Sequence, residues 1–313
     1  MPDTLHFYAN RPESMSVDVL SDVLGTVRLA GQVFGSLELA PPWGISAPPR
    51  DGFTFHIISR GRCWLETGGL APTHVSSGDV LLLAPRRAHV LRDELDSPVV
   101  PFMQAFAQRR NGSRDPGATQ LVCGGFRVDD EALLAALPTV IHTRELGSDT
   151  GPWLAQTVKL LAFEACSELP GGSTVASRVC DALFVYLIRS VLAKLPEARA
   201  SWLRALVTPK IGDALRLIHA EPAKEWSVAE LAQKVAMSRS AFAERFTAVV
   251  GDSPMQYLMK WRVQKAASLL RTGDAGIAEV ASRVGYQSEV AFAKAFKRAM
   301  GTSPGAYRRA HAA

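Results

Sequence analysis

Over the first 126 residues the apolar positions come in short runs, at 53–59, 62–66, 80–83 and 99–106. Clusters such as APPWG, PPRDG, ETGG, SSGD and RRNGSRDPG separate them. Runs this short and this closely punctuated predict an antiparallel sandwich or barrel. After residue 128 the period becomes helical. Residues 129–137 are ended by Pro138, and 151–168 carries Trp153, Leu154, Val158, Leu161 and Ala162 at helical spacing. Residues 174–195 are stopped by Pro196. From Lys210 onward the pattern is helix with brief turns, and Ser227 precedes Glu230 at the spacing of a capping box. The whole reads as an α+β chain.

The helical end contains a repeat of about 50 residues. Val228-Ala229-Glu230-Leu231-Ala232 returns as Ile277-Ala278-Glu279-Val280-Ala281, and Phe242, Phe246, Gly251, Ser253-Pro254 and Tyr257 return as Phe292, Phe296, Gly301, Ser303-Pro304 and Tyr307. Each copy predicts a helix-turn-helix: a short helix with Ala at the closest approach, a turn, and a second helix that buries two aromatics one turn apart. Burying those rings turns other positions outward. They are Arg239, Ser240, Ala243 and Glu244 in the first copy, and Ser288, Glu289, Val290, Ala293 and Lys294 in the second. An exposed helix of this kind fits a DNA major groove, where small uncharged side chains meet thymine methyls. A long helix over 254–270 joins the copies. Duplication within a plain bundle explains the repeat, but not the turn placement and outward faces together.

Charge sharpens the picture. The net +5 divides unevenly: residues 201–313 hold 17 Lys+Arg against 9 Asp+Glu, and residues 1–200 hold 18 against 21. A reader of +8 beside a segment of −3 points to a polyanion partner for one part only. Lys260, Arg262, Arg283, Lys297, Arg298, Arg308 and Arg309 are the phosphate-contact candidates. Length 313 predicts about two domains. The longest apolar stretch, 179–193, is interrupted by Asp181 and Arg189, which argues against a membrane span. The polar N-terminus does not read as a secretory signal. Four scattered cysteines (Cys63, Cys123, Cys166, Cys180) without a CxxC predict a reducing, cytoplasmic setting.

The string from Ile277 through Val284-Gly285-Tyr286 to Phe292, Phe296, Lys297, Gly301, Ser303-Pro304 and Tyr307-Arg308 resembles the AraC/XylS family of transcription regulators. The resemblance covers 211–309. It implies two helix-turn-helix units on a linker helix, binding promoter DNA and usually activating transcription, hence contact with RNA polymerase. Phe55-His56, Gly61-Arg62-Cys63-Trp64-Leu65, Gly78-Asp79-Val80 with Pro85 and His89, and Val122-Cys123-Gly124-Gly125-Phe126 resemble the cupin-type sensing domain of one branch. This implies an N-terminal cupin-like β-barrel, central helices that make a homodimer, and a C-terminal all-α domain. The expected domains are 1–145 for sensing, 146–205 as helical linker and dimerisation region, and 206–313 for DNA binding.

Within the sensing domain His56, His89 and Cys123 are the candidate site. His89 corresponds to the metal-binding histidine of the second cupin motif. The first motif is incomplete, with His56-Ile57-Ile58 in place of a His-x-His pair. That departure weakens the alternative reading, a cupin-type metal-dependent enzyme with a helical appendage. Imidazole and thiolate suit a divalent metal such as zinc. A His₂Cys site with an open position could hold a metal, a small-molecule effector or an oxidant, and a thiol beside histidines would titrate low. Two hydrogen-bonded interior histidines and a core cysteine are the competing reading.

Overall fold

The computed structural model describes residues 17–27, 29–107, 117–146, 151–167, 169–192 and 201–311. The chain divides into two compact units. One spans Arg28–Leu195, and the other joins the residues up to Val27 with Pro196–Ala313.

Among its described residues the first unit carries ten strands. They are β1 (Leu29–Leu39), β2 (Gly44–Ala47), β3 (Phe53–Arg60), β4 (Arg62–Thr67), β5 (Thr73–Ser76), β6 (Val80–Leu83), β7 (His89–Arg92), β8 (Val100–Pro101), β9 (Thr119–Val128) and β10 (Val140–His142). They form two five-stranded sheets, ordered β1-β9-β3-β6-β10 and β5-β4-β7-β2-β8. Among the described residues the pairings are antiparallel except β2 with β8, which is parallel. Leu37, Ile58, Leu81, Leu83, Leu121 and Cys123 of the first sheet pack against Ile45, Cys63, Leu65, Val75 and Leu91 of the second. Alternation along β3 turns His56 and Ile58 into this core, and Phe55 and Ile57 to the opposite face. That outer face is covered by helices of the same unit, α4 (Gly151–Cys166) and α5 (Gly172–Leu192). Phe184 of α5 lies 5.9 Å from Phe53 and 5.0 Å from Phe126 between ring centroids.

The region expected as helical linker and dimerisation segment, 146–205, supplies both of these helices. Its two long helices belong to the sensing unit, because the aromatic outer face of β3 and β9 requires a cover. The apolar run 99–106 is also not one strand. After Pro101 the chain turns into helix α2 (Phe102–Ala107), with Phe102 and Phe106 stacked one turn apart at 5.8 Å. A further short helix, α3 (Glu131–Ala136), begins at an Asp130 cap. At the other end, 19–26 is helix α1 (Val19–Thr26), started by the Asp18 carboxylate accepting from the Ser21 amide.

The second unit contains α1 with α6 (Trp202–Leu206), α7 (Ile211–Ala220), α8 (Val228–Lys234), α9 (Arg239–Val250), α10 (Pro254–Thr272), α11 (Ile277–Arg283), α12 (Glu289–Met300) and α13 (Pro304–His311). The repeated aromatics form the two cores. Phe242, Phe246, Phe292 and Phe296 are fully buried, and each pair packs edge-on at 5.6 Å. Among the described residues no helix is long and apolar enough to cross a membrane.

Candidate functional site

The two helix-turn-helix units are assembled by the same local chemistry. Ser238 and Ser288 cap α9 and α12 by accepting from Ala241 and Ala291 amides. Gly251 and Gly301 close the helices at φ +91° and +73°. The turn before each recognition helix needs one residue in the left-handed region. The second copy uses Gly285 (φ +85°), and the first uses Ala236 (φ +51°). The expected capping box at Ser227 is half present. Ser227 Oγ accepts from the Glu230 amide at 3.1 Å, while the Glu230 carboxylate pairs with Lys224 at 2.8 Å. The complete box lies at the start of α10, between Ser253 and Gln256.

Arg239, Ser240 and Glu244 are exposed on α9, and Ala243 is half-buried beside them. On α12, Ser288, Glu289, Lys294 and Val290 are exposed, the last at 65%, with Ala293 half-buried. Thr247 and Lys297 are exposed on the same faces one turn further along, at positions to which the 3.6-residue period points. Linker α10 has 19 residues, about 28 Å long.

Several phosphate-contact candidates are engaged elsewhere. Arg262 donates to the Pro222 and Lys224 carbonyls at 2.7 and 2.8 Å, and burial lowers its pKa. Arg308 donates to the Ala275 carbonyl, Lys260 pairs with Asp252 at 2.8 Å, and Arg283 pairs with Glu279. Arg262 and Arg308 thus satisfy carbonyls in the loops that join neighbouring helices, the first between α7 and α8 and the second between α10 and α11.

In the sensing unit the register of β3 on β9 sets His56 directly opposite Cys123, and β4 on β7 sets His89 opposite Thr67. The three expected residues do meet. His56 Nδ1 lies 3.1 Å from Cys123 Sγ, and His56 Nε2 lies 2.8 Å from His89 Nε2. His89 Nδ1 is 3.2 Å from the Arg87 carbonyl, which only accepts, so His89 carries its proton there. The tautomers follow in turn. His56 Nε2–H donates to His89 Nε2, and the Cys123 thiol donates to His56 Nδ1. Every donor finds one acceptor, and every group is neutral.

Burial enforces that neutrality. It lowers the His56 pKa well below the ordinary imidazole value, with the neighbouring His89 adding to the effect, and it lowers His89 against the pull of the Arg87 carbonyl. It pushes the Cys123 thiol up, and Cys63 up to about 12. The expectation of an acidified thiol is therefore corrected: neutral imidazoles in an apolar core cannot support a thiolate.

The donor set suits zinc chemically, but the arrangement does not. The His56 ring stands between its two partners and spends one nitrogen on each, so a single ion cannot take all three. Among the described residues no group of three or more His, Cys, Asp or Glu is placed to hold a metal ion. The chain of hydrogen bonds ends at a cavity of about 770 Å³ at the strand ends, lined by His89, Ala47, Thr67, Leu70, Val90 and Pro101 among others.

Known proteins resemble this chain over both units. A cupin family profile matches residues 18–193 and a helix-turn-helix domain profile matches 231–310. A putative AraC-like transcription regulator of Streptomyces lividans is 35% identical over 304 residues, 94% of this chain and 98% of that protein. The HTH-type transcriptional regulator AlkR of Acinetobacter baylyi is 31% identical over 94% of this chain and 99% of its own. Among solved structures, the DNA-binding domain of AdpA in complex with a target DNA is 37% identical over 33% of this chain and 91% of that one, with a TM-score of 0.32.

Proposed function

The chain belongs to the AraC-like family of DNA-binding transcription regulators with a cupin ligand-binding domain, and from that premise we propose how its parts act. Helices α9 and α12 enter successive major grooves about 34 Å apart. Arg239, Ser240, Ala243 and Glu244 read one half-site, and Ser288, Glu289, Val290, Ala293 and Lys294 read the other. The observation that carries this reading is the pair of matched recognition helices, capped alike, whose outward faces are uncovered within their own unit. Lys294 and Lys297 supply charge on α12, for which no ion pair occurs among the described residues.

The effector is a small molecule that enters the cavity against His89. The satisfied neutral chain from Cys123 to Arg87 supports this reading over a metal centre or a reactive thiol. Two copies pair through α4, where Trp153 and Phe163 are 68% and 59% exposed. The dimer works in the cytoplasm and activates transcription through RNA polymerase.

Competition gel shifts test the core of this. The protein's own upstream DNA should outcompete random duplex by at least about 10³-fold. Lys294→Ala should weaken one half-site by about tenfold and reduce the salt slope by about one. Equal affinity for random DNA, or an unchanged Lys294→Ala footprint, overturns the assignment.

A further inference from the structure

We propose that α1 is a brace on the DNA-reading unit, setting the separation of the two helix-turn-helix copies. The inference rests on the reading above, in which α9 and α12 engage two grooves at once.

Helix α1 precedes the whole sensing unit in sequence, yet it is folded into the other unit. Its Val19, Leu20 and Val23 are buried, and it packs on α6, α7 and α10. Between these apolar contacts sits a polar tie. The Asp22 carboxylate accepts from His219 Nδ1–H of α7 at 2.9 Å, and His219 Nε2 accepts from the Tyr257 hydroxyl of α10 at 2.8 Å. The His219 ring stacks on Trp261 of α10 with centroids 4.0 Å apart, and Lys265 of α10 lies 3.7 Å from the same carboxylate.

The other end of α1 reaches the second copy. The Thr26 carbonyl accepts from Arg271 at the end of α10. Arg271 donates with its other nitrogen to the Tyr307 hydroxyl of α13 at 2.7 Å. One eight-residue helix, about 12 Å long, is thus tied to α7 of the first copy, to both ends of the linker helix, and through Arg271 to the second copy. Apolar burial would suffice for packing alone. A carboxylate shared by an imidazole and an ammonium, with a guanidinium on the last carbonyl, defines one orientation.

Strand β1 begins at Leu29, three residues after Thr26, and pairs with β9 along its length; Gly35 is opposite Cys123.

The test uses the full-length protein and the duplex it protects in a footprint of its own upstream DNA. A second duplex carries five extra base pairs between the half-sites. Wild type should bind the lengthened duplex about 100-fold more weakly, since a rigid reader loses its second half-site. Val23→Asp, which places a charge on the buried face of α1, should cut that penalty below about tenfold and speed hydrogen exchange in α1. A wild-type penalty in Val23→Asp overturns the brace, because a merely structural role lowers both affinities equally. If Val23→Asp binds neither duplex, Asp22→Asn decides by the same ratio: a reduced penalty supports the brace, and an unchanged one overturns it. Wild-type protein that binds both duplexes no better than random DNA refutes the DNA-reading assignment instead.

Discussion

The two copies of the repeat offer a controlled experiment on one backbone position. Gly285 and Ala236 occupy the same place in their turns, both left-handed, at φ +85° and +51°. A Cβ added to Gly285 would sit 2.5 Å from the Ala223 carbonyl oxygen and 2.7 Å from its Cα. Both are backbone atoms, so no flexible side chain can yield. Gly285→Ala should cost about 1–2 kcal/mol for the left-handed conformation and a further 1–3 kcal/mol for the contact, so about 2–5 kcal/mol in all. The reverse change, Ala236→Gly, relieves the same conformational cost but adds freedom to the unfolded chain, and should be neutral within about 1 kcal/mol. Unfolding of the full-length protein, followed by hydrogen exchange in α11 and α12, reads both variants on the same scale. Gly285→Ala should lower protection of the second copy while leaving α8 and α9 intact, and should erase one half-site from the footprint. Equal effects of the two substitutions would refute the argument that backbone contact with Ala223 demands glycine.

The buried histidines make stability depend on pH. His56, His89 and His219 all titrate below their ordinary value in the folded chain because burial disfavours the imidazolium. The unfolded chain therefore binds more protons as pH falls below about 6.5. Stability should decline from there downward by at most about 1.4 kcal/mol per pH unit for each histidine, and His56→Gln should flatten the curve measured by urea unfolding. Cys123, buried and pushed up in pKa, should resist alkylation by iodoacetamide at pH 8 in the native protein; labelling at the rate of a free thiol would contradict the neutral chain. Phe292→Ala removes a fully buried ring from the second copy and should cost about 3–5 kcal/mol, with loss of that half-site in footprints.

Much of the reading unit was legible because its determinants are local. Serine caps, closing glycines and aromatic pairs one turn apart act within a few residues, so the repeat spelled out both copies and their outward faces. The sensing strands were legible for a similar reason, since turn clusters bound them. Two segments were misread for local causes that pointed the wrong way. Residues 99–106 are apolar enough for a strand, but Met103, Gln104 and Ala105 favour helix once Pro101 has ended the pairing. The Ser227 box failed because Lys224 competes for the Glu230 carboxylate.

The chain's own letters determined the class of the protein: two sheets' worth of short strands, a duplicated helix-turn-helix, a basic end, and three residues worth watching. Tertiary structure alone decided what those residues are to each other. Register between β3 and β9 brings His56 to Cys123 across 67 residues, and the direction of each ring nitrogen makes a neutral hydrogen-bonded chain where the letters left that arrangement and a metal site both open. Packing alone also assigned α1 to the reading unit, through a contact between Asp22 and His219 that spans 197 residues. The physical reason is one of range. Caps, turns and periodicity are energies of neighbours in sequence. Desolvation and hydrogen-bond direction depend on which distant groups share a core, and no short window of residues contains that information.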